Sequence, residues 1–437
     1  MERRAGLAQK SAWPDPARLK NSRAELLWLA CAFACVACGL WLRMHELWRP
    51  PFYAFDEHHF VDNARNYLLG SADGNDHPPL GKLLIALGME LFGDTGAGWR
   101  SAPALFGAAS IALAALLAAR LFPAGPAWAF ALVFVSLDGF AIGYSRVALL
   151  DGMLASLVLL CLVLLLGKSR ASLAAAGVVG GLALSIKLSG VCYLVPLAGA
   201  LLLRPGSGRL RWLLLAPALS SLVYYACYAL GLWLVHEAWT PASVWQDTLL
   251  SLQHHASLTD MQNPATSSWY TWFIPSKPIT LWRLVEDSSV RSVTSRGNPL
   301  LWWFCSSSVL GLSGVLLWRG VGPVLRAPGA VFQLGPLALP ARALVFSLLA
   351  YWAFLAPWIL TRRDSYYYHY LPSYLVAIVL VAGLCGALYQ RRRRWALALA
   401  GAVVAVSAWY SPRWAGLPRS APVAPKVSAL DRCLLDS

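Results

Sequence analysis

The feature that most constrains this chain is a series of apolar runs, each long enough to cross a lipid bilayer. Eleven such segments occur within the 437 residues, near 25–43, 100–121, 126–145, 147–166, 171–187, 189–204, 211–235, 299–318, 342–360, 370–389 and 395–411. A transmembrane helix needs about 20 mostly apolar residues, and helices keep every backbone group hydrogen-bonded inside lipid. The runs predict an all-α polytopic membrane protein with about 11 transmembrane helices. The segments 171–187 and 189–204 could also form one bent passage.

The composition supports a membrane protein and argues against a nucleic-acid-binding one. Hydrophobic residues make up 58% of the chain and charged residues only 13%, which is about half the charged fraction of a soluble protein. The net charge of +15 could suggest nucleic acid, but the cations form short clusters between the apolar runs. Clusters of this kind set membrane topology, so we expect a lipid bilayer and no nucleic acid as partner.

The basic clusters predict how the chain is oriented in the membrane. Cytoplasmic loops are enriched in Lys and Arg, and an eleven-span chain with a cytoplasmic N-terminus places five clusters on that side. These clusters are the N-terminal tail, "GKSR" (167–170), "RPGSGRLR" (204–211), Arg319 with Arg326, and "QRRRR" (390–394). We therefore expect a cytoplasmic N-terminus and an external C-terminus.

This topology divides the chain into three parts. We expect a basic cytoplasmic tail over 1–24, one membrane domain over 25–411, and an external tail over 412–437. Two long polar stretches of the membrane domain, 44–99 and 236–298, and the short stretch 361–369 would then lie outside. Within the first, the segment 80–93 has the pattern of an amphipathic helix lying on the membrane surface.

The polar motifs fall at or near the predicted outer ends of the spans. They are "FDEHHF" (55–60), "DGNDHPPLGK" (73–82), "SRVALLD" (145–151), "SIKLSG" (185–190) and "RRDSYYYHY" (362–370). Polar groups from distant parts of the chain thus converge on one surface. This arrangement is typical of a site built from loops on a rigid helical scaffold.

The first motif places two carboxylates side by side. If Asp56 and Glu57 begin a helix, their side chains point about 100° apart, so they predict two separate roles rather than one proton-sharing pair. The alternative is a solvated loop helix with a carboxylate at its N-terminus. Together with His58, His59 and Asp76 they could instead hold a metal ion, although no fixed ligand spacing supports this.

Three further candidates lie in the second motif, where two prolines fix the entry to a helix. That turn would fix the directions of three side chains, those of Asp76, His77 and Lys82. The alternatives are a capped turn and a lysine that snorkels to lipid headgroups.

The third motif places a cation and a carboxylate at the mouth of a span. Arg146 lies at the mouth and Asp151 more than a turn inside, where a carboxylate needs a partner or a wet cavity. A purely structural pair is the alternative.

The remaining candidates are mostly cationic. Lys187 at a helix break is suited to bind an anion, and the alternative is that it snorkels to the membrane interface. Arg363 and His369 flank a run of tyrosines, and an aromatic belt at the interface would explain the tyrosines. Carboxylates with dispersed cations suit transfer from an anionic leaving group such as a lipid phosphate. That chemistry needs one base for the acceptor and positive charge for the departing oxyanion.

In their order along the chain, these motifs resemble those of the protein O-mannosyltransferase family. The resemblance runs over about 50–385, and the motifs that carry it are "FDEHHF", "DHPPLGK" (76–82), "RVALLD" (146–151), "GNPLLWW" (297–303) and "YHYLP" (368–372). It implies an eleven-span GT-C fold. It also implies inverting transfer of mannose from a polyprenyl-phosphate donor to Ser or Thr hydroxyls of exported polypeptide.

The resemblance also suggests roles for single residues. Asp56 matches the family's catalytic base and Glu57 the neighbour that helps to position the acceptor, while Arg146, Lys187 and Arg363 are candidates for binding the lipid phosphate. The family is described as metal-independent, so no metal or other cofactor is expected, the lipid-linked sugar being a substrate.

The chain also departs from the family pattern. The stretch 236–298 is too short for the MIR domain of eukaryotic members, so the chain resembles bacterial ones, with a bacterial plasma-membrane location and an active site facing the exterior. Asn263-Pro264-Ala265 stands where a His-Pro-Tyr-like element is expected, which leaves the acceptor open. The oligomeric state also stays open.

Two alternative functions remain at this stage. A GT-C transferase could use another lipid-linked sugar, or a lipid or glycan acceptor. A membrane transporter could use the intramembrane charges as a relay, although transporters commonly show internal repeats with sites near mid-bilayer, and here the polar motifs gather at one face.

Overall fold

The structure is a computed structural model that describes residues 23–72, 74, 76–203, 211–237, 239–259, 263–286, 288–322 and 329–420. Most of the predicted basic tail, parts of the clusters at 204–211 and 319–326, and residues 421–437 lie outside these ranges.

Helices dominate the described residues. They are α1 (Arg23–Met44), α2 (Glu57–Leu69), α3 (Leu80–Phe92), α4 (Gly96–Leu121), α5 (Ala127–Ser136), α6 (Gly139–Ser145), α7 (Leu150–Leu165), α8 (Arg170–Ile186), α9 (Leu194–Leu202), α10 (Trp212–Leu234), α11 (Pro241–Ser257), α12 (Pro299–Arg319), α13 (Ala341–Leu360) and α14 (Leu371–Trp414). Short 3₁₀ segments cover Leu188–Tyr193, Trp269–Phe273 and Tyr367–Tyr370.

Each of the eleven predicted apolar segments lies on helical structure. Among the described residues, six helices are long and apolar enough to cross a membrane, and a seventh span results if α5 and α6 count as one bent pair. The shorter apolar helices are α7, α8 and the stretch Leu188–Leu202. The prediction of a helical, multi-pass membrane protein is confirmed, while the number of eleven crossings stays a prediction.

The segment 126–145, expected to be one continuous span, is broken. Between α5 and α6 the chain bends by 57° at Asp138, whose buried carboxylate accepts hydrogen bonds from the backbone amides of Phe140 and Ala141. It also accepts from the amide of Asn298 and the hydroxyl of Tyr374. The break occurs because this carboxylate caps the first turn of α6 and ties it to α12 and α14.

A second break separates α8 from the following 3₁₀ segment. Lys187 has extended backbone angles (φ −154°, ψ 136°) between the two helical stretches. Lys168 before α8 and Leu203 after α9 line one cavity, so the chain reverses its direction at this break. The segments 171–187 and 189–204 are therefore two stretches rather than one bent passage, and Lys187 lies at the end of α8.

The predicted outer loops carry their own secondary structure. The segment 80–93 forms α3, as expected for a helix. Strands β1 (Thr280–Glu286) and β2 (Ser289–Thr294) form an antiparallel hairpin, and β5 (Arg419–Ser420) pairs with β2. In the predicted cytoplasmic loop between the segments 299–318 and 342–360, a smaller hairpin joins β3 (Val331–Leu334) to β4 (Leu337–Pro340). The expected C-terminal tail from 412 is therefore part of the fold as far as residue 420.

Polar contacts mark two opposite ends of the helix bundle. We call one the basic end, where Arg120 at the end of α4 donates to the carbonyl of Val163 near the end of α7, and Arg393 lies 3.9 Å from Glu25 at the start of α1. We call the other the site end, because α4 and α7 begin there and carry Arg100 and Asp151 in their first turns.

Candidate active site

A buried ion pair fixes the base of the site. Glu57, in the first turn of α2, is fully buried, and its carboxylate receives two hydrogen bonds of 2.7 Å from the guanidinium of Arg100. The same carboxylate accepts from the backbone amides of Ala54 and Ala148, each at 2.7 Å. Glu57 therefore joins the α1–α2 loop, α4 and the start of α7 with charge-assisted bonds.

The preceding loop is held by the same arginine. Arg100 also donates to the backbone carbonyls of Leu47, Pro50 and Phe52 at 2.9–3.1 Å. Phe55 then adopts a φ of +42°, a conformation rare for a bulky residue. These contacts fix the backbone immediately before Asp56.

Asp56 points away from that ion pair. It occupies the N-cap position of α2 and is half-buried, and its side chain makes no capping hydrogen bond. Burial raises the pKa of Asp56 above its ordinary value of 3.8, while positive charge on His59, His58 and Lys187 lowers it in part. The two adjacent carboxylates thus lie in different surroundings, because Glu57 is fully buried against Arg100 and Asp56 is only partly buried.

The second charged pair lies within electrostatic reach of Asp56. Lys187 Nζ is 2.9 Å from Asp151 Oδ1, and both side chains are buried. The lysine also lies 5.1 Å above the ring of Tyr368, which contacts Phe55 with its edge. The break after α8 thus places an ammonium beside the loop that carries Asp56.

The segment 361–370 brings another cation to this surface. Arg363 is half-buried, lies 5.9 Å from the ring centroid of Trp358, and affects the pKa of His77 and His255 by its charge. His369 is buried, stacks on Trp358 at 3.6 Å and accepts from the amide of Tyr366. We therefore assign the histidine to fixing the loop and the arginine to the site.

Residues of the second motif lie at the edge of the same region. His77 Nδ1 is 3.2 Å from Nε2 of His255 on α11, and burial lowers the pKa of both imidazoles, that of His255 to about 3. Asp76 is more exposed and lies 3.5 Å from His254. Lys82 is buried on α3, 5.9 Å from the ring centroid of Tyr67. The motif joins α3 to α11, and the charges of Lys187 and Arg363 both act on His77.

Arg146 is bound to the backbone of α1. Its guanidinium is buried and donates to the carbonyls of Leu42 and Arg43 at the end of that helix. A cation at this position caps the orphan carbonyls of a neighbouring helix, and the expected contact of Arg146 with the lipid phosphate stays a prediction.

Three contributors were missed in the sequence. Arg100 stands at the start of an apolar run and was not among the predicted site residues, although a cation at such a position indicates a buried partner. His255 lies on α11, within the stretch 236–298 for which the sequence predicted only an outer loop. Tyr368 was explained by an aromatic belt, whereas it packs between Phe55 and Lys187.

The combined geometry provides one available carboxylate and two cations at the site end. Asp56 can accept a proton, and Lys187 and Arg363 can attract an anion. The metal set considered above does not assemble as proposed, because Glu57 faces Arg100 inside the core.

Comparisons with known proteins identify the family. The model of the C-terminal four-transmembrane region of protein O-mannosyltransferases matches residues 242–422, and that of dolichyl-phosphate-mannose-protein mannosyltransferases matches residues 76–239. The chain belongs to the protein O-mannosyltransferase family. Both matched ranges begin after "FDEHHF", so the placement of Asp56 rests on the structure described here.

Bacterial members of the family are similar over much of the chain. A polyprenol-phosphate-mannose–protein mannosyltransferase of Mycobacterium tuberculosis is 28% identical in an alignment 345 positions long, which covers 61% of this chain and 65% of that relative. The protein of the same name from Corynebacterium glutamicum is 26% identical in an alignment 444 positions long, which covers 82% of each chain. This chain thus spans about two thirds of the mycobacterial relative and more of the corynebacterial one.

Solved structures of two membrane enzymes share the fold. The Saccharomyces cerevisiae protein O-mannosyltransferase Pmt1-Pmt2 complex bound to its sugar donor matches with a TM-score of 0.73 at 13% identity, covering 91% of each chain. ArnT from Cupriavidus metallidurans bound to undecaprenyl phosphate matches with a TM-score of 0.53 at 20% identity, and the match covers 88% of this chain and 64% of that one. These likenesses confirm the helical membrane fold, while the number of eleven spans stays a prediction.

Proposed function

We propose that this protein is an inverting glycosyltransferase that moves mannose from a polyprenyl-phosphate donor to Ser or Thr hydroxyls of exported polypeptide. The observation that carries the proposal is the placement of Asp56, a half-buried carboxylate without a capping bond, within the field of Lys187 at one end of the bundle. The family relation and the names of the bacterial relatives support the choice of mannose and of a lipid-phosphate donor.

The reaction needs few groups from the protein. Asp56 takes the proton from the acceptor hydroxyl as its oxygen forms a bond to the anomeric carbon, and the bond from that carbon to the phosphate oxygen breaks with its electron pair on the phosphate. Lys187 and Arg363 stabilise the negative charge on the departing lipid phosphate. No proton donor is required for this leaving group, so one base suffices.

Glu57 has a different role from the one first suggested. With both carboxylate oxygens bonded to Arg100 and to backbone amides, it is a positioning residue that holds the Asp56 backbone rather than a group that contacts the acceptor. Asp76, His77 and His255 are proposed to shape the acceptor side, since they join α3 to α11 beside the cations.

The proposed location is a bacterial plasma membrane with the site end facing the exterior. Support comes from the contacts at the basic end, where Arg120, Arg342 and Arg393 gather at the helix ends opposite Asp56. Because Lys and Arg are enriched on the cytoplasmic side, this end is assigned to the cytoplasm.

The test is an in vitro transfer assay with purified full-length protein and radiolabelled polyprenyl-phosphate-mannose. We expect label on a Ser/Thr-rich peptide and none on the same peptide with every Ser and Thr replaced by Ala. Label on lipid or glycan acceptors in place of the peptide would contradict the polypeptide acceptor. Transfer from another lipid-linked sugar but not from the mannose donor would contradict the donor.

The pH dependence of the reaction should report the environment of Asp56. A general base works only when ionised, and burial raises the pKa of this carboxyl, so activity should fall on acidification at a higher pH than an ordinary aspartate would give. Initial rates measured across pH, with recovery of activity on return to neutral pH as the folding control, test this. A rate independent of pH down to the ordinary aspartate range would contradict it.

Removing the charge of Arg363 should weaken donor binding. Hydrogen bonds to charged groups contribute about 1.5–3 kcal/mol, so we expect Arg363→Gln to raise the KM for the donor about 10- to 100-fold. Arg362→Gln is the matched control, because Arg362 is the adjacent arginine and is exposed. Equal KM values for the two variants would argue against a phosphate contact at Arg363.

A further inference from the structure

An open cavity lies at the basic end, far from the site described above. It has a volume of about 590 Å³ and is bounded by the ends of α4, α7 and α9 and the start of α13. A volume of this size is within the range of small-molecule sites. α7 separates the two regions, since Asp151 lies in its first turn and the cavity contacts its last residue, Leu165, a distance of roughly 21 Å at 1.5 Å per residue.

Among the residues that the structure describes, three cations and no acidic residue line this cavity. They are Arg120, Lys168 and Arg342. Arg120 and Arg342 each donate to a carbonyl near a helix end, Arg120 to Val163 and Arg342 to Leu203. A guanidinium carries five N–H donors, so the bond from Arg120 to one carbonyl fixes its position and leaves other donors for a ligand.

The remaining walls are apolar. Leu121 and Phe346 are buried side chains of the lining, and Leu166 is partly buried. A small free anion would gain no binding free energy from these apolar walls, and an uncharged hydrocarbon would gain none from the three cations. A ligand with a phosphate headgroup and a hydrocarbon chain satisfies both kinds of surface.

From this combination we propose that the cavity binds an anionic phospholipid, with its phosphate at Arg120, Lys168 and Arg342 and part of an acyl chain along the apolar wall. In the orientation proposed above, this lipid belongs to the cytoplasmic leaflet. Cations that only set the membrane topology require no cavity between the helix ends, whereas a lipid site needs a recess that is open to the bilayer.

The proposal is tested by native mass spectrometry of the full chain titrated with phosphatidylglycerol, and in parallel with phosphatidylcholine of the same acyl chains. Each cation near a membrane surface contributes a factor of about five in affinity for anionic lipid, so Arg120→Gln/Lys168→Gln should bind phosphatidylglycerol about 25-fold more weakly. The control Arg170→Gln/Arg319→Gln removes two exposed cations outside the lining and should bind as the unaltered chain does.

Several outcomes would overturn the proposal. If both double variants bind phosphatidylglycerol equally more weakly, the attraction is a general one to the charged surface. If the unaltered chain binds both lipids equally, the charge of the headgroup does not contribute to binding. Displacement of the lipid by millimolar inorganic phosphate would indicate an anion site instead. If the double variant does not fold, Lys168→Gln alone changes an exposed side chain and should still weaken binding about fivefold. None of these readouts uses transferase activity.

Discussion

Replacing Asp56 with asparagine is expected to lower the rate of mannosyl transfer by about 10²- to 10⁴-fold, the contribution usual for a general base. Asparagine keeps the shape of the side chain but cannot take the proton from the acceptor hydroxyl. Because the cations that face the donor phosphate are unchanged, the KM for the donor should change little. Initial rates with radiolabelled donor and saturating peptide measure both quantities.

Two controls accompany this measurement, the thermal stability of the Asp56 variant and a matched substitution at another position. Burial disfavours the charged form of Asp56, so the neutral amide should leave the midpoint of thermal unfolding unchanged or slightly higher. Glu90→Gln makes the same kind of change at an exposed position of α3 and should retain full activity. A variant at Asp56 that stays folded and transfers mannose at the unaltered rate would show that another group is the base.

The second large effect is expected at Glu57. Glu57→Gln keeps the volume of the side chain but removes the charge that faces the buried guanidinium of Arg100. Breaking one partner of a buried ion pair is destabilising by about 3–5 kcal/mol, since the remaining charge stays buried without compensation. Denaturant unfolding of the protein in detergent, followed by the fluorescence of its tryptophans, should show this loss.

An exposed ion pair on the same helix provides the comparison. Asp62 lies 2.7 Å from Arg65 with about half of its side chain exposed, and Asp62→Asn should change stability by less than about 1 kcal/mol. Equal stability of Glu57→Gln and the unaltered protein would contradict the structural role assigned to the buried pair. In that case Glu57 would again be a candidate for direct contact with the acceptor.

The helical architecture could be predicted because it depends on local composition. Each apolar run needs its own hydrogen-bonded backbone in lipid, so its position follows from the sequence alone. The break at Asp138 could not be predicted in this way. It depends on amides and a hydroxyl supplied by α12 and α14, which are more than 150 residues further along the chain.

The site was predictable to the extent that helix geometry decides it. Two adjacent residues at a helix start must diverge, and Asp56 and Glu57 do so. The partner of each charge was not predictable, because it is set by packing between distant segments. Arg146 illustrates this, since a cation at a helix mouth can bind a substrate or cap a neighbouring helix, and here it caps α1.

The central claim is that Asp56 acts as a base in a single direct displacement at the anomeric carbon. The anomeric configuration of the mannosyl peptide, determined by NMR and compared with that of the lipid donor, tests this most directly. A single displacement inverts the configuration, and inversion is the expected result. Retention would require a covalent sugar–enzyme intermediate or an equivalent second displacement, and would contradict the role assigned to Asp56.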